Sequence, residues 1–303
     1  MHARFAGESI RVVATDSGLG GLAVAADLVE QLKTNGAFRK AHVVFFNCRP
    51  AETVGFDTMT TPQRRHRVFS RALDAMTREF EPDAFLIACN TLSVLVDQTD
   101  FARKPHGPVI DLVKIGVDLI LRHLERHSTD RILMFAAPTT VQSGVHRRLI
   151  MAQGWPADQV IYRNCGGLPT LIEKGSHSDA VRERINRDVG DAVAKAPGRR
   201  ARVGALLCTH FGFALTLFKE AFRRHGVAVE PVLDPTPQMA PFFLEGSPHG
   251  RYGRTDVTVE VVSQTIITPD VQASIGGTIS LRSPQTADAL HRYAYRPGLF
   301  ATD

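Results

Sequence analysis

The chain has 303 residues, of which 44% are hydrophobic and 22% charged, with a formal net charge of +5. That length and apolar content support a substantial core and usually divide into two domains. It contains no apolar run of about 18 residues and no charged start followed by an apolar stretch, which argues against a membrane span or a secretory leader and makes the cytoplasm the expected compartment.

Taken in chain order, apolar runs of strand type alternate with amphipathic segments of helical spacing. Arg11 to Thr15 reads as a strand, Leu22 to Lys33 as a helix and His42 to Asn47 as a second strand. A helix from Thr61 to Glu79 leads to a strand ending at Cys89, and Val109-Ile110-Asp111-Leu112 is a short strand before a helix over Val113 to His127. The scheme then restarts, with strands at Arg131 to Ala136, Val160 to Arg163 and Val203 to Cys208, and helices at Val141 to Gln153 and Asp179 to Ala194. Such alternation predicts an α/β protein of two similar lobes, each with a mainly parallel sheet flanked by helices, and a site in the cleft between them. The first lobe is expected from residues 1–112 and 232–303, and the second from residues 113–231. The prolines at 231, 235, 237 and 241 mark a return connection, with Val232-Leu233-Asp234 as a strand rejoining the first lobe. Beyond it, Val257 to Ile267 and Val271 to Leu281 are β-branched runs around Thr268-Pro269-Asp270, which predicts a C-terminal β-hairpin at an edge or an interface, followed by a helix over Pro284 to Tyr293.

Cys89 and Cys208 stand in matching surroundings, each after an apolar run and before small hydroxyl or amide residues: Asn90 and Thr91 in one case, Thr209 in the other. An open α/β sheet places its chemistry at the carboxyl ends of its strands. One such thiol would read as packing; two indicate a site shared by two related halves. The four cysteines show no CxxC spacing and are expected as free thiols, with Cys48 and Cys165 serving local structure.

Other signals are weaker. The turn Gly18-Leu19-Gly20-Gly21-Leu22-Ala23 contains a GxGxxA pattern, but Asp16 and Ser17 intervene after the strand and the second strand ends in Asn47-Cys48 rather than an acidic residue. Nicotinamide binding is therefore disfavoured, and the glycines are read as letting backbone amides approach an anion. His123 and His127 share a helix face without a third ligand, so a solvated face is expected and no metal. The basic clusters Arg64-Arg65-His66-Arg67, Arg147-Arg148 and Arg199-Arg200 are short, dispersed and free of interleaved aromatics. They read as solvated helix faces rather than a nucleic-acid surface.

The segments Asp16-Ser17-Gly18-Leu19-Gly20-Gly21-Leu22, Ala88-Cys89-Asn90-Thr91 and Cys208-Thr209-His210 resemble the three signature motifs of the glutamate racemases, within the cofactor-independent aspartate/glutamate racemase superfamily. Thr140-Val141-Gln142-Ser143 and the stretch from Cys165 to Glu173 resemble two further family segments, and the order agrees from about residue 10 to residue 240. The resemblance implies two facing α/β lobes, no cofactor, and a small carboxylate substrate such as an acidic amino acid. It implies Cys89 and Cys208 as the acid/base pair, tuned by Asp16, Glu173 and His210. It implies Ser17, Asn90, Thr91, Thr140 and Thr209 as substrate contacts, with Thr53, Val54 and Gly55 standing where the family carries Pro-Tyr-Gly. Cys48 replaces a family Asp, and the tail after about residue 242 has no counterpart. Inversion of an α-carbon needs a proton removed from one face and another delivered to the opposite face, which two thiols can do. Readings that stay open are a related enzyme with another substrate (an aspartate or other amino-acid racemase, a decarboxylase or an isomerase) and a non-catalytic two-lobed anion-binding protein. A homodimer is also left open.

Overall fold

The computed structural model describes residues 5, 7–103, 107–198, 201–245, 247 and 249–303; the Arg199-Arg200 pair lies outside them. Ten strands follow in chain order among these residues: β1 (Ser9–Asp16), β2 (Lys40–Asn47), β3 (Ala84–Ile87), β4 (Val109–Asp111), β5 (Arg131–Ala136), β6 (Val160–Asn164), β7 (Arg202–Leu207), β8 (Ala228–Leu233), β9 (Asp256–Ser263) and β10 (Ala294–Tyr295). They form two sheets, ordered β10-β9-β2-β1-β3-β4 and β6-β5-β7-β8, with every pairing parallel. Parallel strands need crossover connections, and the helices that make them cover the sheets on both faces. This is why Val12, Val13 and Ala14 in β1, and Leu133, Met134 and Phe135 in β5, are all fully buried.

Local chemistry fixes where the helices begin. Thr61 accepts the amide of Arg64 ahead of helix Pro62–Phe80, whose first position is a proline. Asp111, the last residue of β4, accepts the amides of Val113 and Lys114 and so turns the strand directly into helix Leu112–Arg126. One cluster of buried apolar residues draws on both lobes, including Leu22 and Leu86 from the first and Leu133, Phe135 and Phe218 from the second.

Register sets the site's position. Asp16 pairs with Asn47 at the ends of β1 and β2, and Thr15 pairs with Ile87 at the end of β3. In the other sheet Ala136 pairs with Leu207. Residues just past these ends, Ser17, Cys89, Ala137 and Cys208, therefore occupy the carboxyl rims of the two sheets.

Several expectations are corrected. Only the first arm of the expected hairpin is a strand, β9, which pairs with β2 along its length. The second arm is helix Pro269–Ser280, and the tail's other strand, β10, joins β9 in parallel after a further helix, Pro284–His291. Val271, Ile275 and Ile279 recur every fourth residue, and the latter two are buried, so the β-branched run is a helical face. The segment Val232-Leu233-Asp234 does not rejoin the first sheet: Leu233 pairs with Ala205 of β7, making β8 the edge of the second sheet. The helix expected over Val141 to Gln153 is two helices, Pro138–Ser143 and Val145–Ala152, separated at Gly144 with φ 61°. Among the described residues no helix is long and apolar enough to cross a membrane.

Candidate active site

Cys89 and Cys208 occupy equivalent places in the two sheets. Each stands one or two residues beyond a strand and immediately before a helical turn, with φ −155°, ψ 122° at Cys89 and φ −157°, ψ 128° at Cys208. Both line one cavity of about 300 Å³ between the lobes. Of the residues expected at the site, Asp16, Ser17, Thr53, Gly55, Asn90, Thr91, Glu173, Thr209 and His210 share that lining. Val54 does not; it is half-buried against the core beneath the first sheet. Thr140 also lies off the wall, fully buried, with a hydroxyl that has no partner among the described residues.

The end of β1 and the glycine turn after it lie where the lobes meet. Leu19 N donates to Glu173 Oε1 at 3.0 Å, and Thr209 Oγ1 donates to Asp16 Oδ2 at 2.9 Å, so two bonds cross between lobes. Gly21 N donates to the same Asp16 oxygen at 2.5 Å. The expected anions of the glycine turn are thus carboxylates of the protein itself. A Cβ on Gly18 would stand 2.9 Å from Glu173 Oε1 and 3.1 Å from the His210 ring, leaving no room for one.

The two thiols have different electrostatic surroundings. Burial pushes the Cys89 thiol well above its usual range, and the Asp16 carboxylate beside it adds to that; Ser17 Oγ, 3.3 Å from Sγ, opposes it. Burial also raises Cys208, but His210 Nδ1, 3.7 Å from its Sγ, offsets part of the effect. His210 itself is lowered by burial, yet its hydrogen bonds to Cys208 and Glu173 prevail and hold it well above the ordinary imidazole value. The Glu173 contact is 2.9 Å, from Nε2 to Oε1. Burial works to raise Glu173, but His210, the Leu19 amide and Arg49 hold it below the usual carboxylate range. Cys208 is therefore the less strongly raised of the two: His210 offsets part of the effect of its burial, whereas Asp16 adds to that of Cys89. The side chain of Asn90, next to Cys89, is buried, and among the described residues neither its nitrogen nor its oxygen has a partner. A buried, unsatisfied amide on a cavity wall is costly unless something enters to bond it.

The paired shifts of Glu173 and His210 predict a pH-dependent stability. Glu173 lies below 4.5 when folded, so its contribution is present above pH 4.5 and lost as pH falls through the depressed value. His210 lies above 6.5, so its contribution is full below pH 6.5 and lost as pH rises through the raised value. Glu173→Gln is expected to cost about 1.5–3 kcal/mol in urea unfolding between those two pH values, and less on either side. A difference independent of pH would contradict the pairing.

Sequence reasoning missed Arg49 and Asp57, both of which line the cavity. Arg49 follows β2 by two residues, a placement at a strand's carboxyl end that could have marked it. Asp57 sits in a single turn of 3-10 helix, Phe56–Thr58, with no periodic signal. Elsewhere, His123 is buried and bonded to Asp130 at 2.9 Å rather than solvated, and His127 stacks on it with ring centroids 4.8 Å apart. Among the described residues no cluster of three or more His, Cys, Asp or Glu could hold a metal. The described basic clusters are anchored rather than freely solvated. Arg64 donates to Thr302 O, Arg65 to Met59 O, and Arg147 to Val160 O while lying 5.5 Å from the Tyr162 ring centre.

The profile of the Asp/Glu/Hydantoin racemase family matches residues 21–239. The chain belongs to that family. Within this racemase family it is similar to glutamate racemase of Syntrophus aciditrophicus, 26% identical over 160 residues, which span 53% of this chain and only 54% of that relative. It is also similar to glutamate racemase of Agrobacterium fabrum, 26% identical over 212 residues, 69% of this chain and 71% of the relative. In fold it resembles the crystal structure of glutamate racemase from Francisella tularensis in complex with D-glutamate. The TM-score is 0.67 at 18% identity, covering 90% of this chain and 95% of the other.

Proposed function

We propose that this racemase-family chain inverts the α-carbon of an amino acid without a cofactor, using Cys89 and Cys208 as two acid/base groups on opposite faces of the substrate. The observation that carries the reading is the pair of thiols lining one cavity from equivalent positions of two facing sheets. Cys208, whose thiol His210 makes the easier of the two to deprotonate, is suited to act as the base. Cys89, held protonated by burial and Asp16, is suited to act as the acid. The thiolate takes the α-proton, the opposite thiol donates its own to the other face, and the two exchange roles for the reverse direction.

The intermediate carries negative charge on the α-carbon and carboxylate. Donors fixed in the cavity lower its energy, because they need no reorganisation as charge develops. Asn90, Ser17 and Thr91 line the cavity, and their amide and hydroxyls would serve that role; Thr209 is committed to Asp16. Binding alone would not require a matched acid and base, which weighs against a purely anion-holding clamp.

The test is α-proton exchange. Single enantiomers of glutamate, aspartate, glutamine and a broader amino-acid panel are incubated with the protein in deuterated water without added cofactor. Deuterium at the α-carbon together with appearance of the other enantiomer is expected for at least one of them. Binding of a panel member with no exchange would leave the clamp instead.

A further inference from the structure

The cavity wall also holds two charged side chains for which proton transfer has no use, Arg49 and Asp57. Arg49 is already committed: Nε and Nη2 donate to the carbonyls of Ala51 and Glu52 at 3.3 and 3.0 Å, and Nη1 stands 3.9 Å from Glu173 Oε2. Asp57 is half-buried, and its Oδ1 accepts the Thr139 amide of the opposite lobe at 2.8 Å. Among the described residues it makes no other hydrogen bond and no ion pair, so one carboxylate oxygen remains for a ligand. The backbone nearby offers little to an anion. Val54 N donates to Ala51 O at 3.3 Å, and Gly55 N donates to Thr58 Oγ1 at 3.0 Å.

The cavity therefore holds three carboxylates, Asp16, Glu173 and Asp57, against the two cations Arg49 and His210. A second carboxylate on the substrate, brought beside Asp57, would lose its water and meet a like charge. A side chain with an N–H group would instead bond the unshared oxygen of Asp57, a charge-assisted contact.

Resting on the amino-acid racemase reading, we propose that Asp57 sets the side-chain preference of the site, selecting a substrate whose side chain presents an N–H donor over one that ends in a carboxylate. Glutamine and glutamate, nearly equal in shape and opposite in this respect, are the probes.

Calorimetric titration of each enantiomer of both amino acids is performed on the wild type, Asp57→Asn and Asp57→Ala. Asn keeps an oxygen for the Thr139 amide and replaces the unshared, charged oxygen with an NH2 donor; Ala removes both oxygens. The wild type is expected to bind glutamine about tenfold or more tightly than glutamate, a difference of about 1.4 kcal/mol. Asp57→Asn is expected to bring the two within about threefold, mainly by tightening glutamate. Glutamate preferred by the wild type, an unchanged ratio in Asp57→Asn, or no binding of either amino acid would overturn the inference. Because the readout is binding, it stands apart from the reaction: bound glutamine without α-exchange would count against racemisation while leaving the preference measured.

Discussion

Cys89→Ser and Cys208→Ser are each expected to lower the racemisation rate by about 10²–10⁴-fold, the usual contribution of one positioned acid or base. The serine hydroxyl is close in size, so packing around it changes little, but it neither ionises near neutral pH nor returns a proton as a thiol does. The thiols are buried in separate lobes and contact different partners, Ser17 for Cys89 and His210 for Cys208. Loss from either variant is therefore a chemical effect rather than a shared collapse, and unfolding curves close to wild type would confirm that. Cys48→Ser serves as the contrast: that thiol is fully buried in the core beneath the first sheet and does not line the cavity, so any loss there follows stability rather than chemistry.

The second large effect is expected at Gly20. A Cβ there would stand 2.6 Å from the backbone nitrogen of His210 and 2.6 Å from its Nδ1. The first of these atoms belongs to the main chain and cannot swing aside, so Gly20→Ala must push the turn after β1 away from the Thr209-His210 segment. That movement acts on the Thr209 to Asp16 and Leu19 to Glu173 bonds that join the lobes. Overpacking of this kind costs about 1–3 kcal/mol. The rate is expected to fall by about 10²-fold, because a displacement near 1 Å at a proton-transfer site is enough for that. Gly277→Ala is the control. It lies exposed in helix Pro269–Ser280 with open space around its Cα, where alanine is expected to stabilise by about 0.5–1 kcal/mol and leave the rate unchanged. Equal behaviour of the two variants in rate and in urea unfolding would contradict the steric account.

Much of this arrangement is legible from the residues, and the reasons are physical. A strand buried on both faces must be apolar along its length, which is why Arg131–Ala136 could be read to its exact bounds. Cys89 and Cys208 stand out because each interrupts the chain where such a run ends. The turn Gly18-Leu19-Gly20-Gly21 signals close approach of some group, but only the assembled lobes reveal that group as His210 and Glu173.

What escaped the reading depends on non-local pairing or on direction. Val232 and Leu233 have strand character wherever they go, and hydrogen bonding to β7 rather than the pattern decides their sheet. Thr268-Pro269-Asp270 looks like a hairpin turn, yet proline at the first helical position followed by an acidic residue equally begins a helix, and the fourfold spacing of Val271, Ile275 and Ile279 settles it. Asp57 lies in a single 3-10 turn within a connecting segment, where a charged residue facing a cavity and one facing water look the same in sequence.

The claim that the two sulfurs act from opposite faces is tested most directly by one-sided exchange. Cys89→Ser and Cys208→Ser are each given the separate enantiomers of an accepted amino acid in deuterated water, and α-deuterium is followed by NMR. The remaining thiolate can remove a proton only from its own face and return a solvent-derived deuteron there. Each variant is expected to wash out one enantiomer with retention, and the two variants to choose opposite enantiomers. The same enantiomer washed out by both, or racemisation at the wild-type rate by either, would contradict it.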